Sequence, residues 1–92
     1  MPKIEIHTES DAEFVVTVAD GDSQTTHRVT VPAELADRLV GQGGNVEELV
    51  RLSFEFLLER EAKESILSKF DITVIARYFP EYEGELRDRL RA

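Results

Sequence analysis

The chain contains no cysteine, no tryptophan and a single methionine. Without cysteine there are no disulfides, no thiolate metal ligands and no thiol nucleophile. Positive charge is also scarce: 11 Lys and Arg stand against 19 Asp and Glu, for a net charge of −8. An acidic surface repels a polyanion at long range, so the composition argues against nucleic acid as a partner. Long apolar runs are missing. No stretch approaches the roughly 20 residues that a membrane helix needs. The opening residues, Met1 to His7, alternate apolar and polar and lack the apolar core of a secretion signal. Together these absences predict a cytoplasmic protein with no membrane partner.

What is present is enough for one domain. A chain of 92 residues buries roughly 65% of its unfolded surface, which supports one modest core. The acidity is graded along the chain. Residues 1–31 carry two basic against six acidic side chains, residues 32–60 three against six, and residues 61–92 six against seven. Arg87, Arg89 and Arg91 form the one local basic cluster in the sequence.

The first third alternates with period two, as half-buried strands do. Ile4 and Ile6 alternate with polar neighbours. So do Phe14, Val16 and Val18, and then His27, Val29 and Val31. Asp20-Gly21-Asp22-Ser23 is a turn cluster. A loop there pairs Val18 with Thr25, Val16 with His27 and Phe14 with Val29, all on one face. A one-residue slip would mix the faces. A loop at Glu9-Ser10-Asp11 adds Ile4 and Ile6 to the same side. The prediction is a three-stranded antiparallel meander over residues 1–31, apolar on one face and wet on the other.

Residues 32–92 read as four or five helices packed on the apolar face, which makes the class α+β within a single domain. Pro32 suits a first helical position, and Leu35, Ala36, Leu39 and Val40 form a short stripe. Gly41-Gln42-Gly43-Gly44 reads as a flexible connector. The clearest helix runs from Val46 to Arg60. Leu49, Val50, Ser53, Phe54, Leu57 and Leu58 recur on one face at helical spacing, and Asn45 sits where a cap belongs. A helix from Lys63 to Phe70 should turn Ile66, Leu67 and Phe70 inward. Asp71 should cap a fourth, with Ile72, Ile75, Ala76 and Phe79 inward. The last, Glu81 to Arg91, presents Tyr82, Leu86 and Leu90.

Few residues offer chemistry. By strand parity His7 faces out and His27 faces in, so they cannot share a metal, and a lone inward histidine is most often a satisfied structural residue. The glutamates of the long helix line its polar face and read as solvation. The glycine connector precedes a helix N-terminus, yet Glu47 and Glu48 in the first turn oppose an anion. The segment Arg77-Tyr78-Phe79-Pro80-Glu81-Tyr82 is the most distinctive. Phe79 belongs to an inward stripe. Tyr78 and Tyr82 are expected to lie at its margin with Arg77 beside them, a combination suited to a binding hot spot.

Two segments resemble known families. Thr26-His27-Arg28-Val29-Thr30-Val31-Pro32, followed by a short helix, a glycine turn and the long helix, resembles a ribbon-helix-helix repressor. That resemblance implies a DNA-binding regulator or antitoxin in which Thr26, Arg28 and Thr30 read the major groove. Ser53 to Glu61, Glu64 to Leu67, Phe70 to Ile72 and Arg77 to Glu83 resemble a small family of uncharacterised bacterial proteins. That resemblance implies a cytoplasmic bacterial protein and no activity. The expectation is a non-enzymatic protein-interaction or regulatory module. It has no cofactor, an unspecified protein partner at Arg77, Tyr78 and Tyr82, and a surface open to homodimer formation. The DNA-binding regulator stands second, and an enzyme using His27 stands last.

Overall fold

The structure is a computed structural model that describes residues 2–41 and 43–91. The class is α+β. Three strands run as an antiparallel meander: β1 (Lys3–Thr8), β2 (Glu13–Asp20) and β3 (Ser23–Thr30). The register follows the apolar pattern. Val18 pairs with Thr25, Val16 with His27 and Phe14 with Val29, while Ile4 and Ile6 pair with Val18 and Val16. The β2–β3 connection is tighter than a four-residue loop. Asp20 pairs directly with Ser23, leaving a two-residue turn in which Gly21 takes φ +65°. Shortening the loop by one residue on each side keeps the register, so the faces do not change.

The sheet has a fourth member. β4 (Lys69–Asp71) runs parallel to β3, with Arg28, Val29 and Thr30 opposite Lys69, Phe70 and Asp71. The expected helix from Lys63 to Phe70 is replaced by one 3-10 turn (Lys63–Ser65), an extended link and this strand. Ile66 and Phe70 are buried while Leu67 stays exposed. A helix would have turned Leu67 in beside Ile66 and Phe70. The segment instead satisfies the edge of β3: Arg28 N–H donates to the Ser68 carbonyl at 2.8 Å and Ile72 N–H to the Thr30 carbonyl at 2.9 Å. Backbone groups on a strand edge need partners, and this demand overrides a weak local helical pattern.

Four helices cover the inner face: α1 (Ala33–Val40), α2 (Val46–Leu58), α3 (Val74–Tyr78) and α4 (Tyr82–Arg91). Pro32 precedes α1 as its cap residue. In the connector, a β-carbon on Gly44 would run into the Val40 carbonyl oxygen, so this position is closely packed; Gln42 lies outside the described residues. Asn45 caps α2 by accepting from Glu48 N–H at 3.0 Å. Asp71 does not cap a helix directly. Its Oδ1 accepts from Thr73 N–H and Thr73 Oγ1, at 2.9 and 2.7 Å, closing a turn ahead of the short α3.

The core lies between sheet and helices and contains Phe14, Val16, Val18 and Val29 from the strands against Leu49, Val50, Phe54 and Leu57 from α2. Phe56 is also fully buried, on the flank of α2 that the apolar stripe does not reach. It packs edge-on to Phe79 and Tyr82, with ring centroids at 5.8 and 5.4 Å. On the opposite edge of the sheet, α2 guards β1. Arg51 donates to the Ile4 carbonyl at 3.0 Å, and Thr8 Oγ1 donates to Glu47 at 3.0 Å, in place of the Glu47–Arg51 and Arg51–Glu55 pairs that helix spacing permits. The outer face of the sheet carries Thr26, Arg28 and Thr30 exposed. Phe54→Ala and Phe56→Ala should each destabilise the fold by about 3–5 kcal/mol, since both empty a closed core site. Urea unfolding followed by circular dichroism measures both. A small loss at Phe56 alone would mean that the α2–α4 seam is loose.

A candidate docking groove beside two exposed apolar side chains

Among the described residues only two large hydrophobic side chains are exposed: Leu67, at 51%, and Tyr78, at 71%. They stand at the same place. A groove of about 230 Å³ opens between the end of α2, the link from the 3-10 turn into β4, and α3. Leu57 and Phe70 supply part of its lining, Ile75 and Phe79 line the α3 side, and Leu67 and Tyr78 border it. Glu61 is the one charged side chain in the lining.

Each wall is fixed for a separate reason. Leu67 is held through its backbone by His27. The Leu67 carbonyl can only accept, so His27 Nδ1 carries the proton and donates to it at 2.7 Å. The other ring nitrogen, Nε2, then accepts from Thr25 Oγ1 at 2.8 Å. The imidazole is buried and stacks at a tilt on Phe54, centroids 5.4 Å apart. Both nitrogens are occupied by fixed partners. His27 is thus a positioning residue that ties the link before β4 to the sheet. His7 is exposed on the other face.

The α3 wall is fixed by the α2–α4 seam. The Arg60 guanidinium lies over Phe56, 3.6 Å from the ring centroid, and 5.8 Å from the centroid of the Phe79 ring. Its guanidinium donates to Glu85 at 2.6 Å and to the Phe56 carbonyl at 3.1 Å, and reaches Glu81 at 3.4 Å. Arg89 completes the cluster by donating to Glu59 at 2.7 Å, which holds the Glu59 carboxyl below its ordinary range. This network clamps the start of α4 to the end of α2 and keeps Phe79 at the groove.

The structure separates the two tyrosines that the sequence places together. Tyr78 is on the surface with Arg77, also exposed. Tyr82 is fully buried and belongs to the core, which corrects the expectation that it lies at a binding margin. Pro80 and Glu81 turn the chain so that α4 begins with Tyr82 pointing back at α2. There the Ser53 hydroxyl donates to the Leu49 carbonyl at 2.7 Å, so the Tyr82 hydroxyl donates to Ser53 Oγ at 2.6 Å. The sequence pattern places Leu67 in the core, because it falls at an inward position of a helix that does not form; the structure leaves it exposed.

Among the described residues no group of three or more His, Asp or Glu is placed to hold a metal ion, and no helix is long and apolar enough to cross a membrane. No family model, curated protein or solved structure matches the chain.

Burial pushes the Tyr82 phenol up to about 12 from an ordinary 10.0. A raised folded-state value means that the contribution is complete below about pH 10 and is lost as pH climbs toward about 12, a fall of about 2–3 kcal/mol. Tyr82→Phe should cost about 1 kcal/mol at neutral pH through the lost hydrogen bond. It should also remove most of the difference in stability between neutral and strongly alkaline solution. Urea midpoints for the two proteins across that pH range check it; parallel curves would show that Tyr82 is not what titrates.

Proposed function

We propose that the chain is a non-enzymatic protein-interaction module that seats an apolar segment of a partner protein in the groove beside Leu67 and Tyr78. The observation that carries this reading is the coincidence of both exposed large hydrophobic side chains with one apolar groove. On a surface this acidic, isolated apolar residues are ordinary, but two beside one apolar groove are what a partner desolvates. Tyr78 and Arg77 supply residue types enriched in hot spots, with Glu61 and Arg77 available for a polar rim. A further support is that the segments resembling the small family of uncharacterised bacterial proteins provide eight of the ten lining residues, all but Val74 and Ile75. The reading places the module in the cytoplasm, in keeping with the cysteine-free sequence.

A DNA-binding regulator ranks below it. A ribbon-helix-helix strand pairs with its symmetry mate. Here β3 is flanked by β2 along its length and by β4 at Arg28 to Thr30. Arg28 is also engaged by Glu13 at 3.2 Å.

The test is site-specific photo-crosslinking in the native host from position 78, compared with position 17 on the outer face of the sheet. A partner that joins at 78 and not at 17 is expected. Leu67→Ser combined with Tyr78→Ala should weaken that partner by at least about tenfold and leave the unfolding transition cooperative, because both side chains are exposed. Binding unchanged by the double substitution would place the surface elsewhere. A salt-sensitive shift of duplex DNA abolished by Arg28→Ala would favour the regulator.

A further inference from the structure

The two edges of the sheet are treated differently. On β1 one outward carbonyl, that of Ile4, is taken by Arg51. On β4 no such guard exists among the described residues. The bonds from Arg28 N–H to Ser68 and from Ile72 N–H to Thr30 fix which residues of this segment face β3: those at 68, 70 and 72. By the alternation of a strand, Lys69 and Asp71 therefore point their N–H and C=O groups away from the sheet, and among the described residues no turn, loop or side-chain hydrogen bond reaches these four groups. Such an edge is a template for another strand.

We propose that β4 pairs with β4 of a second copy of this chain, antiparallel across a two-fold axis at Phe70, joining two four-stranded sheets into one of eight strands. The edge is its own complement. Antiparallel pairing centred on Phe70 sets Lys69 opposite Asp71 of the second copy, and Asp71 opposite its Lys69. These are the residues with outward backbone groups, so each pair exchanges two N–H to C=O bonds. Their side chains share the outer face, since Lys69 and Asp71 are in register with Arg28 and Thr30. The pairing thus joins opposite charges directly across the strands, which favours it, where like charges would oppose it.

Both charges are available. Among the described residues Lys69 has no carboxylate within 4.0 Å. Asp71 uses Oδ1 for both of its bonds to Thr73, leaving Oδ2 for the incoming ammonium. A two-residue slip sets Lys69 against Lys69 or Asp71 against Asp71, so the short strand specifies one register. A lysine on an edge ordinarily discourages strand addition; here it selects a partner strand that carries aspartate two residues on. The interface is isologous and closes at two copies. The proposal does not depend on what fills the groove, because it is built on the backbone edge.

Sedimentation equilibrium of the full chain should give about twice 10.5 kDa at high concentration and the single mass on dilution. Amide hydrogen exchange read by NMR should show Lys69 and Asp71 N–H becoming protected as concentration rises. Lys69→Asp should weaken the dimer at least about tenfold by setting aspartate against aspartate, and Asp71→Lys should do the same. Mixing the two variants should restore a heterodimer, because each then meets its opposite charge. If Asp71→Lys disturbs the Thr73 turn, Lys69→Asp and the exchange measurement still decide. A protein that stays monomeric up to about 0.5 mM, well above the micromolar range of specific dimers, overturns the proposal. So does a dimer in which the Lys69 and Asp71 amides exchange freely.

Discussion

Phe54 and Phe56 lie two residues apart on α2, about 200° around its axis, and both are fully buried. The helix is therefore covered on two opposite sides, and the rest of the molecule is arranged to provide that cover. The sheet meets the Phe54 flank, with His27 tilted against the ring. The chain beyond α2 must return to meet the Phe56 flank. Phe79 and Tyr82 reach it, and Arg60 closes it from the solvent side by lying across the ring at 3.6 Å.

That double demand explains the irregular back half. After α2 the chain makes one 3-10 turn, crosses to the free side of β3, runs three residues of strand and comes back through a five-residue helix. None of these pieces would be stable alone, since short helices and strands rely on tertiary contacts. His27 anchors the crossing by donating to the Leu67 carbonyl. Arg60 and Arg89 anchor the return by binding Glu81, Glu85 and Glu59. The groove is the space between those two anchored passages, and β4's open edge borders the same crossing. A single detour of the backbone thus creates both surfaces on which interactions are proposed.

The meander and α2 were legible because each repeats one period over many residues. Three alternating strands with one apolar face admit one register, and six apolar or small positions at helical spacing define α2. The groove was legible only in part. Arg77 and Tyr78 stood out as an unusual aromatic and cationic segment, and the structure leaves both exposed. Tyr82 looked equivalent to Tyr78 from spacing alone, yet one turn of chain at Pro80 and Glu81 sends it into the core to bond Ser53. Leu67 reads as a core residue instead, because its neighbours fit a helical pattern as well as an extended one.

The sequence by itself determined the α+β class, the strand register, the inward placement of His27, and the burial of α2's main stripe. These follow from local periodicity, which a chain carries in its own spacing. Tertiary structure alone decided the parallel fourth strand, the second buried flank at Phe56, the separation of the two tyrosines and the groove. Each depends on which distant backbone or ring is free to be covered. The free edge of β3 drew residues 69–71 into the sheet, and the bare ring of Phe56 drew Arg60, Phe79 and Tyr82 together.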